Sequence, residues 1–234
     1  MRKLPIVMPL VLMSTLTAHA AGTKTLTRTV EAGSVDTVQL ETGIGDVTVT
    51  AADETDEIAV EVVLTPRRGG IFSSKRQAER EVDAASLEAS IGSDRVTMRI
   101  GSPESDDDRR FEERWTVRMP SRLGLKLEHG VGDIVIEGVR AGIELDSGVG
   151  DVRIDVPEGD IAVDLGVGTA VVRAPAAVYG SAEAAGGVGG ARLTVLGQTM
   201  ESGGFVSKAS SWTGDGPGQI NVAVGVGDAV IELN

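Results

Sequence analysis

The chain has 234 residues, among them 31 Gly and only six aromatic residues, and its 35 acidic residues against 22 basic ones give a net charge of −13. Such a surface repels nucleic acid and anionic lipid, which argues against both as partners and leaves basic partners and divalent cations open. So few Phe, Tyr and Trp exclude the usual aromatic-rich core and point to one built from Val, Ile, Leu and Ala.

In chain order, residues 1–20 have the form of an export signal. Arg2 and Lys3 are the basic start, residues 4–16 are apolar, and Ala18-His19-Ala20 is a small-x-small cleavage site. The apolar stretch is shorter than the roughly 20 residues of a membrane-spanning helix. No Cys occurs anywhere, so neither a disulfide nor a lipid-anchored Cys is available. An exported, cysteine-free and acidic chain fits the periplasm, the cell envelope or secretion. No transmembrane span is expected after signal removal, because no second long apolar stretch follows.

Residues 21–120 are expected to form an N-terminal β segment with a short helix and a hairpin. Residues 23–30 and 35–40 alternate as strands. The tetrad Gly43-Ile44-Gly45-Asp46 follows, and after it Val47 and Val49 face away from Thr48 and Thr50. A turn at 53–56 precedes a strand with Ile58, Val60, Val62 and Leu64 on its buried face. Residues 75–85 are charged, Ala-rich and free of Gly and Pro, which predicts a short helix capped by Ser74 with Ala78, Val82 and Ala85 inward. Two further runs carry Val96, Met98 and Ile100, then Phe111, Trp115, Val117 and Met119. They read as the arms of a hairpin whose polar tip holds Asp106, Asp107 and Asp108.

Residues 121–234 are dominated by repetition. Leu123, Leu125 and Leu127 lead into Gly130-Val131-Gly132-Asp133, and Gly148-Val149-Gly150-Asp151, Gly166-Val167-Gly168-Thr169 and Gly187-Val188-Gly189-Gly190 begin 18, 18 and 21 residues further on. Between them Ile134, Ile136, Ile143, Leu145, Val152, Ile154, Val156, Ile161, Val163 and Leu165 can all face one interior, with Asp151, Arg153, Asp155, Asp160 and Asp164 facing water. Residues 180–190 read as a loose loop, Ala191, Leu193 and Val195 as a strand, and 199–218 as a loop holding one strand. The last tetrad, Gly225-Val226-Gly227-Asp228, is followed by Ile231 and Leu233, which are expected to complete a final coil. Period-two alternation inside a period of 18 predicts an all-β chain built as a parallel β-solenoid, a β-helix-like stack with about two strands per 18–21-residue coil, continuous with the N-terminal segment.

The tetrads read as structural corners: Gly43, Gly45 and Asp46; Gly130, Gly132 and Asp133; Gly148, Gly150 and Asp151; Gly166 and Gly168; Gly187 and Gly189; Gly225, Gly227 and Asp228. Gly reaches left-handed backbone angles, the central Val or Ile points inward, and Asp bonds its own turn. Two chemical readings compete. Asp133 and Asp151, stacked on neighbouring coils, are the calcium candidates, since like charges that close call for a cation. Outward Asp155 and Asp164, with Glu137 and Glu144, are the carboxylate pair that a glycan-cleaving enzyme would need. Tyr179 and Trp212 are the only sugar-stacking candidates in the repeat half, and His129, the one His beyond the signal, reads as a turn residue. With no Cys and no second His, catalytic triads and His-based zinc sites lack their parts, so no enzyme and no cofactor is expected. Arg153, Asp155, Arg173 and Arg192 are the outward surface-binding candidates.

The signal, the strand ending in Met119-Pro120, the Leu-x-Leu-x-Leu lead and the repeated Gly-x-Gly-Asp units together resemble the bacterial DUF4097 β-strand-repeat family, also labelled putative adhesins. The resemblance implies a β-solenoid in the cell envelope, with an envelope protein or glycan as partner. Thr169 and Gly190 depart from the Asn or Asp that the family commonly shows at its corners. No catalytic residue carries over.

Overall fold

A computed structural model describes residues 16–18, 22–67, 75–102, 110–201 and 206–234. Most of the expected signal, the Ser74 cap and the acidic triplet at 106–108 lie outside these residues. Strand β1, Leu16–Ala18, falls within the segment read as the signal and pairs antiparallel with β2, Lys24–Glu31.

Strands account for 70% of the described residues and helix for 6%. Apolar residues at every second position dictate this, because they give each strand one face to bury. Two sets of parallel pairings run through the molecule. In the first, β7 (Arg95–Gly101), β3 (Thr37–Ile44), β9 (Gly124–Val131), β11 (Ile143–Val149) and the first half of β13 (Ile161–Ala174) lie side by side. In the second, β8 (Phe111–Pro120), β4 (Val47–Ala52), β10 (Ile134–Glu137), β12 (Val152–Asp155) and the second half of β13 do the same. Strand β17, Gly218–Leu233, pairs with the whole of β13, and β14, Tyr179–Val195, pairs with the whole of β17.

Inward residues in register form the core. Leu40, Leu127, Leu145, Val163, Val222 and Ala184 make one row; Val49, Ile136, Ile154, Val172, Ile231 and Leu193 make another, and all are buried. Trp115, Phe111, Met98 and Met119 fill the N-terminal end. Helix α1, Lys75–Ala84, packs on β5 (Glu57–Pro66) and β8, with Ala78, Val82 and the following Ala85 buried as their spacing predicted. Buried Glu81 accepts the main-chain N–H of Arg110 at 3.0 Å.

The expected parallel β-solenoid is not what forms. All strands belong to one mixed sheet, in which 12 strands make a nearly closed barrel. Antiparallel neighbours are the first reason: β2 lies on β5, β5 on β8, β6 (Ser86–Ile91) on β7, and β15 (Gln198–Glu201) and β16 (Val206–Thr213) on β14. Continuity is the second, since β13, β14 and β17 run for 14, 17 and 16 residues through the corner instead of breaking there.

Three local expectations change with it. Strands β7 and β8 belong to different sets of pairings, so their residues are not the arms of one hairpin. The expected loop at 180–190 is part of β14, held by parallel and antiparallel neighbours on either side. Strand β17 does not close the stack at its end, because it lies between β13 and β14.

Two glycines show what the corner requires. Gly150 and Gly168 have φ of +145° and +142°. A Cβ on Gly150 would fall on the carbonyl oxygen of Gly132, and one on Gly168 on that of Gly150. Both the angle and the space therefore demand Gly. Gly168→Ala should lower unfolding free energy by about 3 kcal/mol, since it adds steric overlap to backbone strain. Gly33→Ala, at φ +50° with open space around it, should lose about 1 kcal/mol. Denaturant titration of both variants checks the difference.

Candidate functional site

Each tetrad changes which parity faces the core. Leu145 and Ser147 are buried before the corner at Gly148, and Val152 and Ile154 after it. An odd-numbered residue is inward on one side and an even-numbered one on the other, so the corner holds one residue more than strict alternation allows, as in a β-bulge. The residue displaced outward is the one between the glycines. Val131, Val149, Val167, Val226 and Val188 are 43%, 45%, 45%, 49% and 54% exposed, which overturns the expectation that they point inward. In register with Ile44, they form one apolar ridge across six adjacent strands. Each half-exposed valine forgoes roughly 1 kcal/mol of burial, so folding alone does not account for the type of residue.

Rows of carboxylates flank the ridge. On one side Glu41, Glu128, Asp146 and Asp164 are in register, giving way to Ala223 and Ala185 on β17 and β14. The first glycine of each tetrad lies between this row and the ridge and lines a shallow trough, which Ile44 of the ridge also lines and the valines border. One stretch, of about 750 Å³, includes Gly148, Gly166, Gly225 and Gly187; another, of about 790 Å³, includes Gly43 and Gly130, and both include Asp146.

On the other side stand the corner aspartates. They do not close their own turns. Asp133 Oδ1 accepts the N–H of Asp151 at 3.1 Å, Asp151 Oδ1 that of Thr169 at 3.0 Å, and Asp228 Oδ1 that of Gly190 at 2.7 Å. Asp46 Oδ1 receives the N–H of Asp133 at 3.4 Å. Each carboxylate thus ties one strand to the next, which compensates part of the repulsion that made Asp133 and Asp151 calcium candidates. Among the described residues no three His, Cys, Asp or Glu are grouped so as to hold a metal ion.

The remaining sequence-derived candidates scatter. Asp155 sits opposite Glu137 and Arg173 on the second set of pairings, whereas Asp164 and Glu144 lie on the first. Glu144 is held by Lys126 at 2.7 Å, and Arg173 by Glu232 at 2.6 Å. Arg153 is on β12 and Arg192 on β14, with β13 and β17 between them. Tyr179 is fully buried and donates its hydroxyl to the Gly159 carbonyl at 3.0 Å, and burial raises its pKa to about 12. It offers no stacking face.

His129 is a core residue. The Thr42 hydroxyl shares a hydrogen bond of 2.7 Å with His129 Nδ1 and lies 3.4 Å from the Glu128 carbonyl. Nε2 and the hydroxyl of Ser147, its registered neighbour, are both buried without a hydrogen-bond partner among the described residues.

No family model matches the chain, and no curated protein does. Among solved structures, a putative cell adhesion protein from Clostridium sporogenes is similar at a TM-score of 0.60 and 17% identity, over 91% of this chain and 100% of that one. The two share a fold. A putative adhesin from Bacteroides fragilis aligns over 90% and 97% of the two chains at 12% identity and a TM-score of 0.35. Among the described residues no helix is long and apolar enough to cross a membrane.

Burial lowers the His129 pKa below its usual 6.5, against smaller opposing effects of the Gly132 main chain, Asp46 and Asp133. The unfolded chain then binds the extra proton first, so stability should be constant above about pH 6.5 and fall below it, at up to about 1.4 kcal/mol per pH unit. Unfolding measured across pH 4–8 should show this slope reduced in His129→Gln. Asp151→Ala, which leaves the Thr169 N–H without its acceptor, should cost about 1 kcal/mol, and Asp151→Asn less, in the same measurement.

Proposed function

We propose that the chain is an exported, non-enzymatic binding protein of the cell envelope, an adhesin-like scaffold. The observation that carries this reading is the row of exposed valines. Contiguous apolar surface rimmed by polar residues marks interaction sites on soluble proteins. The ridge is built by the same backbone geometry that builds the fold, so it is rigid and needs no ordering before it binds. The fold likeness to a protein named for cell adhesion is in keeping with this role. So are the features read as an export signal and the absence of Cys. The cross-strand ion pairs Lys126–Glu144 and Arg173–Glu232 agree with a scaffold whose charges hold strands together.

Purified chain lacking residues 1–20 should be retained by an envelope fraction of the source cells. The double variant Val167→Asp with Val226→Asp should melt at a similar temperature and lose retention at least tenfold. A wild-type chain that stays wholly in the supernatant would refute the envelope role.

A further inference from the structure

The trough beside the ridge has two unlike walls. One side is apolar, bordered by Ile44, which lines the trough, and by the half-exposed valines, each next in sequence to a floor glycine. The other is anionic over four strands, Glu41, Glu128, Asp146 and Asp164, and becomes Ala223 and Ala185 over the last two. Its floor is main chain, because a Cβ on Gly148, Gly166 or Gly187 would come within 2.5 Å of a neighbouring glycine's carbonyl oxygen. Six strands about 4.8 Å apart give it a length of roughly 24 Å. Among the described residues, two cations stand near the anionic wall: Lys126, 3.9 Å from Glu128, and Arg99, which is in register with Glu41 at the end of the trough and is paired with Glu88 at 3.0 Å.

Resting on the binding role proposed above, we infer that this trough takes an extended polypeptide segment in which basic and apolar side chains alternate. Successive side chains of an extended segment point to opposite sides. Lying along the trough, such a segment sets Lys or Arg against the carboxylate wall and its apolar residues against the valines. At about 3.3 Å per residue, roughly seven residues span it. Charge decides among the other occupants. A second copy of this chain would bring its own anionic wall against this one, and a trough one side chain wide falls far short of the roughly 800 Å² per partner of a stable protein interface. An anionic bilayer is repelled by the same wall.

The probe is a fluorescent seven-residue peptide of alternating lysine and valine, with alternating glutamate and valine as its counterpart, titrated against the chain lacking residues 1–20 at 50 mM and 500 mM salt. The basic peptide should bind saturably and the acidic one at least tenfold more weakly. Replacing Val149, Val167 and Val226 together by Thr, which keeps a β-branched residue, should weaken binding at least tenfold at both salt concentrations. The set Glu128→Gln, Asp146→Asn and Asp164→Asn should weaken it at least tenfold at 50 mM salt and little at 500 mM. The inference is overturned by equal binding of the two peptides, or by variants that bind as the parent does. It is equally overturned if the valines govern instead a doubling of mass in solution or co-sedimentation with phosphatidylglycerol vesicles. Envelope retention without peptide binding removes this partner class alone, and peptide binding without envelope retention removes the envelope role alone.

Discussion

Backbone meeting backbone at the Gly-x-Gly corners is the contact on which the rest of this molecule depends. Where a strand turns between its two halves, its carbonyl oxygen occupies the space that the neighbouring glycine's Cβ would need, and this recurs from β3 through β9, β11, β13 and β17 to β14. Side-chain packing tolerates exchange of one aliphatic residue for another, but main-chain approach this close does not. The corner thus sets the register of every strand that passes through it, and the two rows of core residues follow from that register.

The same corner settles what faces outward. Adding one residue to the alternation moves the central valine out of the core and presents it in line with its neighbours. The aspartate that follows then lies beside the next strand, where its carboxylate takes a main-chain N–H. Where β13 carries Thr169 instead, the Asp151 carboxylate still holds that strand by its N–H. Apolar ridge, glycine floor and carboxylate rows are therefore consequences of one backbone requirement repeated across the sheet.

Much of this could be read from the residues. The alternation of Ile143, Leu145, Val152 and Ile154 identified the buried positions, and the 18-residue spacing reappears as the register between β9, β11 and β13. The valines were expected inward, against a signal that the numbering itself carries. Odd-numbered Leu145 before Gly148 and even-numbered Val152 after it imply an extra residue in between, and Val149 is where it falls. What periodicity could not supply was the partnership of strands. Alternation specifies which face of β7 or β8 is buried, but not that each pairs with a different neighbour across the barrel. Residues 180–190, rich in Gly and Ala, lack the bulky β-branched residues that mark strands. They are extended because β16 and β17 pair with them from both sides, which is a tertiary cause with no local trace.

The placement of β17 bears on how the sheet is assembled. This strand is made after β14 yet lies between β14 and β13, so those two have no direct partnership to form while synthesis is under way. Strands β14, β15 and β16 can pair locally as an antiparallel lobe, and the strands up to β13 can pair among themselves. Joining the two waits for a strand that is distant in sequence from β13, and such contacts close slowly. Until then the long edges of β13 and β14 carry unpaired N–H and C=O groups, open to water and to other chains. This order postpones completion of the barrel until β17 has emerged, so the last strand to be made is the one that joins its two parts.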